Sequence, residues 1–179
     1  MKKKLLVALI AVMGLANVTA QEVQFGVKGG LNFASLQGDN TAGTSTVTAF
    51  NVGVMAEIPL SAKFSFQPEL LFSGQGFSFN DKINALNYLN VPLMGKYYVT
   101  KGLSIEAGPQ IGFLLSAKND NTDVKNLYKS ADIGANFGLG YKLNNGLNFG
   151  ARYNLGLSDI NSTTSKNGVI QLSVGYFFF

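Results

Sequence analysis

Glu57, Glu69, Glu106 and Asp132 are carboxylates set inside alternating apolar runs, and Lys28, Lys96 and Arg152 are cations in the same setting. Arg152 is the one arginine of the chain, within "FGARYNLGLSD". Carboxylates held at a fixed separation can act as a general acid and a general base. The competing reading is mutual neutralisation, because buried charges must be paired. Arginine suits the second role, since its planar fork satisfies two carboxylate oxygens at once. The chain has no histidine and no cysteine. That removes the usual base of Ser–His and Asp–His enzymes, and also thiol chemistry, disulfides and a lipid-modified N-terminal cysteine. Asp39, Asp81, Asp120 and Asp123 fall in polar connections, and "NDNTD" lacks the glycine and glutamate of an EF-hand loop. "GVKGG" lies within an alternating stretch rather than between a strand and a helix, so it is not a phosphate loop. The expectation is no catalytic, cofactor or metal site, and a network of charges made by the seven residues named first.

The elements that must position those residues are strands. Val23, Phe25, Val27, Leu31 and Phe33 alternate with Gln24, Lys28 and Asn32. Phe50, Val52, Val54 and Ile58 alternate with Asn51 and Glu57, and Phe64, Phe66, Leu70 and Phe72 with Ser65, Gln67 and Glu69. The same period continues around Leu89–Val99, Leu103–Leu115, Ile133–Tyr141, Phe149–Leu157 and Ile170–Phe178, giving eight segments. Long polar connections are expected at Gln37–Val47, Gly76–Asn87, Asn119–Lys129 and Asp159–Asn167. Short ones are expected at Pro59–Ala62, Thr100–Gly102 and Asn144–Gly146, the last carrying an "NNG" hairpin signal. Pro68, Pro92 and Pro109 lie inside strands, where each removes a ladder hydrogen bond, and local bulges are expected there.

The N-terminus reads as a secretory signal over residues 1–20: "MKKK", an apolar "LLVALIAVMGLA", and "VTA" before cleavage between Ala20 and Gln21. Three of the 14 basic residues lie in that leader, which leaves 11 against 10 acidic ones in a domain spanning 21–179. The basic pI therefore belongs mainly to the leader and is no argument for nucleic-acid binding.

A closed sheet of this kind is either a soluble barrel with an apolar interior or a membrane barrel with an apolar exterior. The apolar face is bulky and free of Asp, Glu, Lys and Arg, as lipid contact demands. The other face mixes its few charges with Gly, Ser, Asn and Gln, as a narrow interior requires. Aromatics such as Phe64, Tyr97, Tyr141, Phe149 and Tyr176 gather near the short turns, like an interfacial girdle. The fold expected is an all-β, eight-stranded antiparallel up-and-down transmembrane β-barrel.

The segments "QFGVKGGLNFASL", "FSFQPELLFSGQGFSF", "NYLNVPLMGKYYV", "GLSIEAGPQIGFLLSAK", "FGLGYKL" and "ARYNLGLSDI" together resemble the outer-membrane β-barrel family termed "porin family" or PorT-like, common in Bacteroidetes-type bacteria. That family is akin in architecture to OmpX and OmpA barrels. The resemblance covers essentially the whole mature chain. It implies a bacterial outer-membrane barrel with a periplasmic N-terminus and extracellular long loops, and no established activity. The partners implied are outer-membrane lipid, including lipopolysaccharide, and the barrel-assembly machinery, which reads a terminal outward aromatic. Tyr176 and Phe178 supply that signal here, with Phe179 one residue beyond and Ser173 where a glycine is common. A monomer with an interior filled by side chains and a surface-interaction role through its loops is expected. The alternative is a narrow passive pore for small ions or solutes.

Overall fold

The computed structural model describes residues 22–38, 41–120, 122–161 and 164–178. The leader and its Ala20–Gln21 cleavage point lie outside them. Eight long strands run antiparallel: β1 (Gln24–Gln37), β2 (Val47–Pro59), β3 (Phe64–Phe79), β4 (Lys82–Tyr98), β5 (Leu103–Asn119), β6 (Ala131–Lys142), β7 (Leu147–Gly156) and β8 (Lys166–Phe178). Each pairs with its sequence neighbour, and β1 also pairs with β8, from Phe25 opposite Phe178 to Gln37 opposite Lys166. The sheet is therefore a closed eight-stranded up-and-down barrel with no free edge.

Alternation decides which face is which. Val52, Ile133, Leu172 and their equivalents on every strand are about half exposed on the outer wall. Their sequence neighbours Asn51, Asp132 and Gln171 are buried inside. The seven ionisable residues singled out from the sequence all face inward and are buried. Close strand approach depends on glycine at particular points. A Cβ on Gly53 would stand 2.0 Å from the Leu70 carbonyl oxygen of β3, so no larger residue fits without moving a strand.

The short connections fall at one end of the barrel, as the sequence indicates. The long-loop end differs from expectation at three places. Within Gln37–Val47, Thr44–Ser45 pairs with Ser78–Phe79 of β3 as a two-residue ladder. Gly76–Asn87 is no loop: β3 and β4 continue to Phe79 and Lys82 and close through Asn80 and Asp81. Those two residues both have positive φ, 49° and 60°, the pairing a two-residue hairpin turn requires. Polar composition had disguised an extension of the sheet. In the β5–β6 connection, Thr122–Asp123 folds back onto Lys118–Asn119 as a short ladder, followed by a 3-10 turn at Lys125–Leu127.

The prolines also act differently. The ladders skip Ala56 and Glu57 opposite Gln67 and Pro68, then Glu69 and Leu70 opposite Val91 and Pro92, then Leu93 and Met94 opposite Gly108 and Pro109. Register is the same on both sides of each gap, so the missing donors cost ladder bonds without inserting a residue. The register shift among these pairings lies elsewhere, at Asn87/Tyr88, where Leu115 is the extra residue of β5. Its carbonyl accepts a hydrogen bond from Lys125 Nζ at 2.9 Å.

The outer face yields a direct test. Leu172→Arg places a charge near mid-height on the apolar wall, and about 2–4 kcal/mol of folding stability in lipid vesicles should be lost. Urea unfolding followed by far-UV circular dichroism measures it, the chain having no tryptophan. An unchanged midpoint would mean that this wall faces water.

Candidate functional site

The interior is arranged in tiers. Nearest the short turns is a layer of charge, drawn from β1 to β7 in two sets. The odd-numbered strands supply Lys28 (β1), Glu69 (β3), Glu106 (β5) and Arg152 (β7). Arg152 grips Glu69 with both terminal nitrogens, NH1 to Oε2 at 3.0 Å and NH2 to Oε1 at 2.8 Å, and NH2 also reaches Glu106 Oε2 at 3.2 Å. Lys28 Nζ donates to Glu69 Oε2 at 3.1 Å, and Gln67 Nε2 to Glu69 Oε1 at 2.7 Å. The even-numbered strands supply Glu57 (β2), Lys96 (β4) and Lys142 (β6). Lys142 Nζ bonds Glu57 Oε2 at 2.9 Å and also donates to Gln24. Lys96 stands 3.5 Å from Glu57 and 3.4 Å from Glu106, and so joins the two sets. Tyr98 donates its hydroxyl to Glu57 Oε1. Phe177 faces inward beneath this layer, its ring centroid 4.3 Å from Lys142 Nζ.

Above the charges lies a tier of amides, with contributions from all eight strands: Asn32, Asn51, Ser73, Asn90, Gln110, Asn136, Asn154 and Gln171 are all buried. Asn32 is its best-connected member. It donates to Ser73 Oγ at 2.9 Å and to the Gly74 carbonyl at 2.7 Å, and accepts from Asn51 at 2.9 Å and Gln171 at 3.1 Å. Asn154, Asn136 and Gln110 form a second chain across β7, β6 and β5.

The third tier, toward the long loops, is apolar. Leu86, Tyr88, Leu114, Ala117 and Ile160 make a buried cluster, with Leu36, Val124 and Tyr128 packed against it. Ile160 comes from the β7–β8 loop, which is also tied by backbone hydrogen bonds from Lys129 N to Ile160 O (2.8 Å) and from Leu157 N to Ile133 O (2.8 Å). Asp132 belongs here and not to the charge layer. Its carboxylate accepts from Ser158 Oγ at 2.7 Å and Asn167 Nδ2 at 3.0 Å, and no described cation pairs with it.

Six of the seven residues singled out from the sequence thus come together, and Asp132 stands apart because β6 carries it three inward positions above the level of Arg152. Lys142 is a member that sequence reasoning missed. It shares the inward parity of Asp132, Asn136 and Gly140, a signal that was available but masked by its place beside a turn. The supporting amides Gln67, a donor to Glu69, and Gln24, an acceptor from Lys142, give no signal of their role, since polar inward residues are everywhere in such strands.

The arrangement predicts unequal costs of losing a carboxylate. Glu69→Gln strands Lys28 and leaves Arg152 with Glu106 alone, so a loss of about 3–5 kcal/mol is expected. Asp132→Asn strands no cation and should cost about 1–2 kcal/mol through weakened hydrogen bonds. Urea midpoints of the two variants in the same vesicles compare them directly, and equal losses would remove Glu69 from its central place.

The architecture and its alternation match known proteins. Residues 19–162 match the family model described as outer membrane protein beta-barrel domain. Comparison by sequence with curated proteins gives no match. Among solved structures, Neisserial surface protein A is similar at 13% identity and a TM-score of 0.61, over 88% of this chain and 100% of that one. Ail, the attachment invasion locus protein of Yersinia pestis, is similar at 15% identity and a TM-score of 0.56, with the same coverage. At such identities the likeness is one of fold, and the family match over most of the sequence settles the class: this chain belongs to the outer membrane protein beta-barrel domain family, bacterial proteins of the outer membrane.

Proposed function

We propose that the protein is an outer-membrane barrel whose interior is occupied by its own side chains, and that its role is played at the cell surface by the long loops. The observation that carries this reading is the succession of charge, amide and apolar tiers from the short turns to Ile160. Eight strands enclose an interior just wide enough for side chains, whereas water-filled porins use about 16. The carboxylates do not serve acid–base chemistry. Glu69 is saturated by Arg152, Lys28 and Gln67, and the chain has no histidine to relay a proton. The loops, by contrast, are docked onto the apolar tier and form a defined surface. The structural neighbours named as an attachment invasion locus protein and a surface protein support a contact role.

The short turns are periplasmic and the long loops extracellular, as the resemblance to the PorT-like branch implies. Outer-membrane lipid contacts the apolar wall, and the outward Phe178 serves recognition by the assembly machinery. The barrel acts as a monomer and takes no cofactor.

Two measurements test this. In planar bilayers the purified protein should show no stable, reproducible conductance. A steady unitary conductance would favour the narrow passive pore instead. For orientation, the absence of native cysteine makes single substitutions clean reporters. Asn126→Cys at the long-loop end should react with a membrane-impermeant maleimide on intact cells, and Lys101→Cys at the short-turn end only after lysis. The reverse pattern would overturn the orientation.

A further inference from the structure

The charge layer is not balanced. Lys28, Lys96, Lys142 and Arg152 are four cations, and they meet three carboxylates, Glu57, Glu69 and Glu106. Asp132 is three inward positions away and has its own partners. Donors are in excess as well. Lys28 has three N–H groups, and its acceptor Glu69 Oε2 is already shared with Arg152 NH1. Asn148 Nδ2 is buried without any acceptor. Lys142, at the short-turn mouth, is the one partly exposed member, its side chain 19% exposed. A charge surplus in so enclosed a layer and a buried orphan donor both carry a penalty unless something neutralises them.

The unpaired groups converge on one hollow. Gly140 of β6 and Gly150 of β7 are register partners facing inward. Glu106 and Ser104 pack against Gly140, and the gap that remains lies over Gly150, beside Ser173 Oγ. The gap has about 10 Å³ of free room, enough for one water-sized particle. Lys28, Lys96, Asn148, Arg152 and Ser173 border it. Glu106 borders it too, but its Oε1 is held by Lys96 and Ser104 and its Oε2 by Arg152. A water placed there could donate to Ser173 Oγ but would leave the charges unbalanced. A monatomic anion would bring only acceptance, together with the one negative charge that balances four against three.

We propose that this hollow is a binding site for a single halide-sized anion, chloride under ordinary conditions, held by Lys28, Arg152 and Asn148. Gly150 is what makes the room, and Lys28 is what makes the charge. The site depends on the fold and the count of charges, and it stands whether or not the barrel conducts.

Bromide is the probe. The folded mature protein is crystallised with sodium bromide in place of chloride, and diffraction is measured at the bromine edge. The expected result is one anomalous peak in the hollow, in contact with Lys28 Nζ and Asn148 Nδ2. Lys28→Met removes the surplus charge and leaves Glu69 on Arg152, so the peak should be lost. Gly150→Ala puts a methyl group into the hollow, 2.9 Å from a rotatable Ser173 hydroxyl, and should also lose it. In solution, an anion bound only by the native state raises stability. The urea midpoint of the unaltered protein should therefore be higher in bromide or chloride than in gluconate at equal ionic strength, and the two variants should show no such difference. Density without an anomalous signal, a peak that survives both substitutions, or a midpoint indifferent to halide in the unaltered protein would each overturn the proposal.

Discussion

Glu69 and Arg152 stand on β3 and β7, four places apart in a ring of eight, so their two-pronged ion pair runs across the full width of the interior. Lys28 on β1 and Glu106 on β5 are likewise opposite, and each joins one end of that pair. Four walls are thereby held at fixed separations by one group of charges. Replacing such a group by well-packed apolar residues can be neutral or even stabilising in a water-soluble protein. A membrane barrel has a different problem. Its outer wall is already apolar, and a strand slipped by one residue exchanges its two faces. In this chain that slip would turn Glu69 or Arg152 into lipid and strand the opposite charge inside. The cluster thus fixes which face of each strand is inward, and its value lies in specificity more than in net stability.

Most of this was legible in the sequence because facing is a local property. Period two tells, residue by residue, that Arg152 lies with Asn154 and Gly150 and opposite Tyr153 and Leu155. Partnership is not local. Whether Arg152 meets Glu69 or Asp132 depends on the stagger accumulated through several ladders, and nothing in either segment encodes it. Asp132 was grouped with the wrong charges for this reason, and Lys142 was overlooked although its parity was right. The connections failed for a different cause. Asn, Asp and Gly between Gly76 and Asn87 match the composition of a loop, yet they serve as strand residues closed by the left-handed pair Asn80–Asp81.

The prolines show how much redundancy closure provides. Pro68, Pro92 and Pro109 sit on three adjacent strands, and each leaves a gap in its ladder. In an open sheet such a series would invite slippage. Here the pairs on either side of each gap have identical register, because the ring is fixed by its remaining ladders and by the charges inside it. The expected bulges are unnecessary: a missing donor weakens a ladder, but only an added residue shifts it, as Leu115 does.

The change of interior character along the barrel follows from what lies outside it. Beside the apolar wall the interior is charged, then amide. Toward the long loops the outer wall becomes mixed, with Asn87, Ser116 and Lys118 facing outward beside Ile83 and Leu115, and there the interior becomes Leu86, Tyr88, Leu114 and Ala117. One chain therefore follows two opposite burial rules. Where lipid surrounds it, polar groups must satisfy one another inside. Where water surrounds it, the hydrophobic effect again drives apolar groups inward, and Ile160, Val124 and Tyr128 are drawn from the loops to complete that core. The loops are docked because they stand in water, and the apolar tier that docks them is what gives the far end of the barrel a definite surface.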